Sequence, residues 1–266
     1  MYTRKIDEVR QYFKDQGSST DPILQSESQL SGFCSICEEE VMFELLLPGD
    51  DAAINWRETV KCPGCGLINR WRGSLHLFQA VCNPSAESRI YITEALSPIT
   101  ELLSDRFPDL ESSEYVERAE PGERIEVGLV EVRNEDVTRL SFDDNSFDAL
   151  LTFDVLEHVP RYRDAVQEFH RVLDFGGYLI LTVPFSFENE TVTRAIVHDD
   201  GEIEHLVEPC YHGDPLSSEG VLAYYDFGVE LLDQFKDAGF RDSCLVCYTS
   251  EHWGYHSHNI AYLARK

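Results

Sequence analysis

Two pairs of cysteines are the clearest sign of chemistry in this 266-residue chain. Cys34 and Cys37 form one Cys-x-x-Cys pair, and Cys62 and Cys65 form a second pair after a gap of 24 residues. Each pair can present two thiolates from a tight turn, and two such turns supply the four tetrahedral ligands of a structural zinc ion. Two disulfides are the alternative, which a cytoplasmic location disfavours. We therefore predict a closed zinc site with a structural role.

The other four cysteines are predicted to be ordinary core thiols. Cys244 and Cys247 also have Cys-x-x-Cys spacing, but they fall in a predicted strand, where residues three apart face opposite sides of the sheet. Cys82 and Cys210 are isolated in the sequence.

Histidine and carboxylate side chains form a second group that could act in catalysis. His158 directly follows Glu157 at the end of a predicted strand, and His212 and Asp214 lie in the segment Tyr-His-Gly-Asp-Pro at 211–215. Histidine is the usual proton acceptor near neutral pH, and carboxylates accept hydrogen bonds from hydroxyl groups. We predict that His158, His212 and Asp214 bind or deprotonate an acceptor. A simple turn built on the glycine and proline is the alternative for the second segment.

The same residues also support a metal interpretation. Glu157, His158 and His212 together carry imidazole and carboxylate donors, and a divalent ion held by them would acidify an acceptor hydroxyl. Both hypotheses stay open at the level of the sequence.

The hydrophobic pattern from residue 89 onward predicts the elements that position these residues. Short apolar runs alternate with amphipathic helical stretches, which is typical of a mainly parallel sheet covered by helices. The segment 186–225 is predicted to be a long irregular insertion that carries function. Strands are expected at 89–94, 114–117, 130–134, 147–153, 178–183, 243–249 and 259–264, and helices at 98–107, 162–173 and 227–238.

The residues before this pattern divide into two predicted parts. Residues 1–16 have the amphipathic character of a helix, and residues 17–25 are polar and typical of a linker. The expected organisation is therefore an amino-terminal helix and linker at 1–25, a zinc-ribbon-like module at 26–80 and a catalytic domain at 85–266.

The charge balance excludes some classes of partner. The chain has 49 acidic and 22 basic residues, for a formal net charge of −27. Such a surface repels phosphate backbones and anionic lipids, so direct binding to nucleic acid is not expected. With five lysines in the chain, the composition is compatible with adaptation to high salt or with an ordinary acidic protein.

No apolar run approaches the roughly 18 residues of a membrane span, and the polar first residues predict no secretory signal, so a cytoplasmic location is expected.

One stretch of about fifty residues, VTRLSFDDNSFDALLTFDVLEHVPRYRDAVQEFHRVLDFGGYLILTVPF at 137–185, resembles class I S-adenosylmethionine-dependent methyltransferases. LSFDDNSFD is similar to the family's loop between its third and fourth strands, and LTFDVLEHVP to the end of its fourth strand. RVLDFGGYLILTVPF is similar to the turn into its fifth strand. The resemblance implies a doubly wound, seven-stranded, Rossmann-like α/β sheet.

The resemblance also implies a cofactor site for S-adenosylmethionine. In such sheets the ligand lies beyond the carboxyl ends of the strands, where the strand order reverses. Glu94 closes the first strand, Glu114 corresponds to the acidic residue that accepts the ribose hydroxyls, and Asp136 to the residue that accepts the adenine amino group. Val137 would pack on the adenine ring, and Asp154 would face the methionine end.

The first turn departs from the family pattern. The family places an acidic-x-Gly-x-Gly-x-Gly loop there, whereas this chain has ITEALSP at 92–98. A solvated surface glutamate is accordingly the alternative for Glu114. No Gly-x-Gly-x-x-Gly follows the first strand, which argues against a hydride-transferring dinucleotide enzyme.

The pattern YITEALSP followed by SEYV, with a cysteine module in front, resembles a subgroup associated with methylating sugars of surface polysaccharides or glycolipids. This implies an O-methyltransferase whose acceptor is a glycan or a small molecule. Two other hypotheses remain: methylation of another small metabolite, and a non-catalytic scaffold protein that has lost its cofactor.

In this family the Glu-His pair at 157–158 often shapes the floor of the pocket. The sequence does not determine the oligomeric state.

Overall fold

The computed structural model describes residues 1–16, 29–46, 55–214 and 216–266. The linker predicted at 17–25 lies outside these residues. The chain divides into two compact units, one made of Met1–Pro84 and Leu245–Ala261 and the other of Ser85–Cys244 and Tyr262–Lys266. Within the described ranges, no helix combines the length and the apolar character that crossing a membrane requires.

The described residues of the first unit form a small antiparallel sheet and three helices. Its helix α1 confirms the predicted amino-terminal helix and buries Ile6, Val9 and Phe13 at helical spacing. Helix α3 was not predicted. In chain order the elements are β1 (Tyr2–Thr3), α1 (Ile6–Asp15), β2 (Gln29–Cys34), β3 (Glu39–Leu45), α2 (Trp56–Thr59), β4 (Val60–Lys61) and α3 (Asn69–Cys82), with β2, β3 and β4 adjacent in that order.

Residues from the far end of the chain complete this first unit. The Phe33 amide donates to the His252 carbonyl at 2.7 Å. The fully buried Arg72 guanidinium donates to the carbonyls of Trp253 at 2.9 Å and Gly254 at 3.2 Å. A buried cation needs such acceptors, so the 245–261 segment satisfies polar groups of the first 84 residues.

The second unit carries the longer series of strands. In chain order its elements are β5 (Ile90–Ile92), α4 (Pro98–Arg106), β6 (Glu111–Glu114), β7 (Arg124–Val127), β8 (Val130–Asn134), β9 (Phe147–Phe153), a short 3-10 helix (Leu156–His158), α5 (Tyr162–Val172), β10 (Leu173–Thr182), β11 (Val192–Thr193), β12 (Ala195–Val197), β13 (Ile203–His205), β14 (Tyr211–Asp214), β15 (Ser217–Leu222), β16 (Tyr225–Asp226) and α6 (Leu231–Ala238). The last strands, β17 (Asp242–Ser250) and β18 (Tyr255–Arg265), have residues in both units.

The sheet of the second unit is mixed and doubly wound, as the resemblance implies. Strands β8, β6, β5, β9 and β10 are neighbours in that order and run parallel. β7 lies antiparallel beyond β8, and residues 262–265 of β18 lie antiparallel to β10. The strand order reverses between β5 and β9, so the carboxyl ends of these two strands flank the expected ligand position.

Two expectations about this unit were wrong. Strand β6 ends at Glu114 instead of beginning there. Its Ser113 is buried, and the Ser113 hydroxyl lies 2.7 Å from the Tyr91 hydroxyl, so a polar residue occupies a core position. Tyr115 lies beyond the strand and is exposed. The insertion is not irregular either, since it contains the antiparallel pairs β11–β16, β12–β13 and β14–β15.

Candidate functional site

The four predicted zinc ligands converge in the first unit. Cys34 ends β2 and Cys37 lies in the turn to β3, while Cys62 and Cys65 lie in the loop between β4 and α3. The sulfurs of Cys34 and Cys65 are 3.9 Å apart, and those of Cys37 and Cys62 are 3.7 Å apart. Four sulfurs about 2.3 Å from one tetrahedral zinc ion lie about 3.8 Å from each other. The cluster therefore fits a zinc ion.

Backbone turns hold the sulfurs in this arrangement. Gly66, at φ +72°, donates its amide to the Cys62 carbonyl at 2.9 Å. Burial raises the pKa of Cys37 to about 12, whereas hydrogen bonds from Cys62 and Cys65 lower the pKa of Cys34. Because each added thiolate repels the others at these distances, the fully deprotonated cluster needs a cation.

In the second unit, the predicted cofactor residues lie at one edge of the sheet. Glu94 follows β5, Glu114 ends β6, Asp136 follows β8 and Asp154 directly follows β9. The four strands run parallel, so their carboxyl ends meet at the same edge. All four carboxylates are half-buried.

Glu114 holds the first turn in place. Its Oε1 accepts the Leu96 amide at 2.8 Å, and the neighbouring Ala95 amide donates to the Ser113 carbonyl at 3.0 Å. The Glu94 carbonyl accepts the Ser97 hydroxyl at 3.0 Å at the start of α4. This turn has no glycine, and the Glu114 carboxylate fixes its path beside β6.

Asp136 and Asp154 make local hydrogen bonds. Asp136 Oδ1 accepts the Thr138 amide at 2.8 Å and the Thr138 hydroxyl at 2.7 Å, and the half-buried Val137 lies between them in the chain. Asp154 has a φ of 55°, which is uncommon for a residue with a side chain, and its Oδ1 accepts the Thr182 hydroxyl at 2.8 Å. Thr182 was not predicted to contribute, although it ends the apolar run of β10.

Glu157, His158 and His212 meet at the end of β9. His212 Nδ1 lies 3.2 Å from His158 Nε2 and 3.4 Å from Glu157 Oε1, and His158 Nε2 lies 3.7 Å from Glu157 Oε1. His158 Nδ1 contacts the Leu222 carbonyl at 2.8 Å. A carbonyl only accepts, so this ring donates from Nδ1 and turns the lone pair of Nε2 toward the other two residues.

The electrostatics of this cluster follow from burial. Glu157 is fully buried, and neither of its carboxylate oxygens makes a hydrogen bond of good geometry with any part of the chain that the structure describes. Burial raises the pKa of Glu157 to about 7. The interaction with the Glu157 carboxylate raises the pKa of His212.

The hairpin β14–β15 delivers His212 to this cluster from the insertion. His212 pairs with Val221, and the Tyr224 amide donates to the Glu157 carbonyl at 2.8 Å. Two other histidines of the insertion, His198 and His205, are exposed, and His198 Nε2 lies 3.0 Å from Glu204 Oε2. Asp214 ends β14, but its side chain lies outside the described residues.

Gly220 sets the position of His212, and we expect its replacement to be costly. It has a φ of +77°, and a Cβ atom there would lie 2.4 Å from the His212 carbonyl oxygen. The variant Gly220→Ala should lower the free energy of unfolding by about 1–3 kcal/mol in urea titrations. Gly213→Ala, where a Cβ would meet nothing within 4 Å, should change it by less than about 0.5 kcal/mol. Equal losses in the two variants would contradict this account of the hairpin.

Part of the second unit, including the carboxyl ends of β6, β8 and β9, is similar to a known protein family. The methyltransferase domain family matches residues 108–181. Residues 108–181 are thus similar to this family. Glu114, Asp136 and Asp154 lie within the matched residues, and so do Glu157 and His158.

Curated methyltransferases are similar to this chain over somewhat longer segments. A sterol 24-C-methyltransferase of Gibberella zeae is 30% identical over 118 residues, which cover 42% of this chain and 29% of the relative. A demethylmenaquinone methyltransferase of Staphylococcus epidermidis is 30% identical over 125 residues, which cover 47% of each protein. The chain thus spans less than half the length of these relatives.

Solved methyltransferases are also similar to the chain. An S-adenosylmethionine-dependent methyltransferase from Mesorhizobium loti covers 76% of this chain and all of its own, at 13% identity and a TM-score of 0.47. The 1,6-didemethyltoxoflavin-N1-methyltransferase of Burkholderia thailandensis, solved with 1,6-didemethyltoxoflavin and S-adenosylhomocysteine, covers 74% of this chain and 78% of its own, at 16% identity and a TM-score of 0.45.

Proposed function

We propose that this chain is a cytoplasmic S-adenosylmethionine-dependent methyltransferase that methylates an oxygen of a carbohydrate or glycoconjugate. The observation that carries the proposal is the position of the Glu114 carboxylate. It lies at the carboxyl end of β6 and contacts the first turn through the Leu96 amide, within the segment that matches the methyltransferase domain. A carboxylate at this edge would accept the ribose hydroxyls of a nucleoside.

The other acidic residues extend this site along the sheet edge. Glu94 would line the first turn, Asp136 would accept the adenine amino group, and Val137 would pack on the adenine ring. Asp154, next to the Thr182 hydroxyl, would face the methionine end of the cofactor. S-adenosylmethionine supplies a methyl group activated by a sulfonium, and these residues would bind and orient it.

Methyl transfer leaves two tasks for the protein. As the acceptor oxygen forms its bond to the methyl carbon, the sulfur–carbon bond breaks with its electron pair going to sulfur, and the acceptor proton must leave. Alignment supplies most of the rate, and removal of the proton adds roughly 10²–10⁴-fold. We assign proton removal to the cluster of His158, His212 and Glu157, where donors and acceptors meet at the end of β9.

The neighbourhood of His212 supports a sugar as the acceptor. Tyr211 precedes His212 in β14 and has 56% of its surface exposed, so its ring can stack on the C–H face of a sugar. Asp214, two residues after His212, would accept hydroxyl groups. Incubating cell glycans and small-molecule pools with isotopically labelled methyl donor would identify the acceptor. Label in a non-carbohydrate product alone would replace the sugar by another metabolite.

Cofactor binding has a direct test in Glu114→Gln. The amide oxygen of glutamine can still accept the Leu96 amide, so the turn is preserved, but the negative charge that strengthens the ribose hydrogen bonds is lost. We expect S-adenosylmethionine to bind about 10- to 100-fold more weakly, as measured by calorimetry. Glu117→Gln, a charge-matched change at an exposed position, should leave the affinity unchanged. Absence of binding heat in the unaltered protein at high cofactor concentration would reject the enzyme and favour a scaffold.

We also propose that Cys34, Cys37, Cys62 and Cys65 hold a structural zinc ion. The sulfur distances and the tight turns support it. Four thiolates complete a tetrahedral site and leave no position for a substrate, so the ion would stabilise the first unit without taking part in methyl transfer.

A further inference from the structure

The ligand atoms of Glu157, His158 and His212 form a triangle of a particular size. The three separations between His158 Nε2, His212 Nδ1 and Glu157 Oε1 are 3.2, 3.4 and 3.7 Å. Three ligands held about 2.1 Å from one tetrahedral ion lie about 3.4 Å from each other. The triangle therefore has the dimensions of three corners of a tetrahedral coordination shell.

The surroundings of the triangle orient it as a metal site requires. Histidines that bind metals almost always donate their other ring N–H to a carbonyl or carboxylate, which fixes the tautomer. His158 makes this contact from Nδ1 to the Leu222 carbonyl, so Nε2 presents its lone pair to the cluster.

The surroundings of the Glu157 carboxylate independently favour a bound cation. Its side chain is fully buried, and neither oxygen has a hydrogen-bond partner of good geometry among the described residues. A buried carboxylate without hydrogen bonds is costly unless a cation compensates it. Oxygen Oε1 lies within 3.7 Å of both imidazole nitrogens, so an ion between them would satisfy it.

We propose that Glu157, His158 and His212 bind one divalent transition-metal ion of the zinc or cobalt kind. Two imidazoles and one carboxylate are donors that such ions prefer, and three protein ligands leave a coordination position open. The role of the ion rests on the proposed methyl transfer: an acceptor hydroxyl at the open position would lose its proton more readily, and the proton would pass to solvent. In this arrangement the histidines act as ligands and the ion assists deprotonation.

Cobalt titration of the full-length protein tests the site without any methyl donor or acceptor. The cysteine cluster is first loaded with a single equivalent of Zn²⁺ per chain, because thiolates bind this ion in preference to a site of imidazoles and a carboxylate. Co²⁺ is then added while visible ligand-field bands and near-ultraviolet sulfur-to-cobalt charge-transfer bands are followed. We expect one further equivalent of Co²⁺ to give ligand-field bands without sulfur charge transfer. His212→Ala and Glu157→Gln should each weaken this binding by more than the roughly 10- to 100-fold that changes around a metal site cost.

The controls separate a metal site from general damage. His198→Ala, which removes an exposed histidine from its own contact with Glu204, should leave cobalt binding unchanged. Circular dichroism and melting of each variant show whether it is folded. A protein loaded with one zinc ion per chain that shows no cobalt binding without sulfur charge transfer, or folded variants that bind this cobalt with unaltered affinity, would overturn the proposal. Because S-adenosylmethionine is measured separately by calorimetry, cobalt binding without cofactor binding would reject the methyltransferase alone.

Discussion

Replacing Cys62 by serine should remove the bound zinc and unfold the unit that contains it. Cys62 is fully buried, and its sulfur lies 3.7 Å from the Cys37 sulfur. The variant therefore lacks one of the four proposed zinc ligands. Structural zinc contributes an apparent binding free energy of about 10–16 kcal/mol in small zinc-binding peptides. This is comparable to the whole stability of an ordinary domain, about 5–15 kcal/mol. We expect the zinc held by the cysteine cluster to fall from about one ion per chain to near zero.

Atomic emission and thermal melting measure the two effects. Cys82→Ser is the matched control, because Cys82 is a half-buried thiol at the end of α3 outside the cluster. It should keep its zinc. Treatment of the unaltered protein with a strong chelator should reproduce the melting behaviour of the Cys62 variant. Zinc content and melting that do not change in Cys62→Ser would show that the four sulfurs hold no ion.

Replacing His212 by alanine should lower methyl transfer by roughly 10²–10⁴-fold, the usual contribution of assisted proton removal. His212 contacts both His158 and Glu157, so its loss disables the cluster whether the imidazole accepts the proton or holds an ion. The affinity for S-adenosylmethionine should be nearly unchanged, since ribose and adenine are assigned to Glu114 and Asp136. The measurement is the rate of transfer of labelled methyl to the acceptor found in the extract experiment.

The matched variant for this measurement is His198→Ala, in the same insertion. It should retain full turnover, because His198 is exposed and contacts Glu204 instead of Glu157. If His212→Ala and His198→Ala showed the same turnover as the unaltered protein, proton removal at the end of β9 would be refuted.

Some elements were predictable because one strong local signal decides them. The short apolar runs Ala149–Leu151 in β9 and Tyr178–Leu181 in β10 are typical of buried strands, and β9 has the predicted bounds. The cysteine spacing likewise predicted the cluster, since each pair is local and only the meeting of the two pairs depends on the fold. Strand β6 was misplaced because its one buried residue, Ser113, is polar and contacts the Tyr91 hydroxyl, which a hydrophobic pattern does not show.

The geometry of the cluster of Glu157, His158 and His212 could not be predicted from local sequence patterns, because it is formed by contacts between distant parts of the chain. His212 and His158 are 54 positions apart in the chain, and their contact follows from the register of β14 on β15. Their residue types suggested both a base and a metal ligand, but only the structure gives the separations that favour one of them. The Leu222 carbonyl that orients His158 has no signal in the sequence, because every residue carries a carbonyl.

The first unit is built from two stretches of chain separated by about 160 residues, and this has a consequence for its synthesis on the ribosome. At translation rates of about 5–20 residues per second, the Leu245–Ala261 segment emerges roughly 10–30 seconds after Pro84. During that interval the nascent amino-terminal stretch lacks the carbonyls that satisfy buried Arg72. Both cysteine pairs have already been synthesised by then. Zinc binding to them would restrain residues 34–65 and protect the amino-terminal stretch from aggregation before the Leu245–Ala261 segment is available.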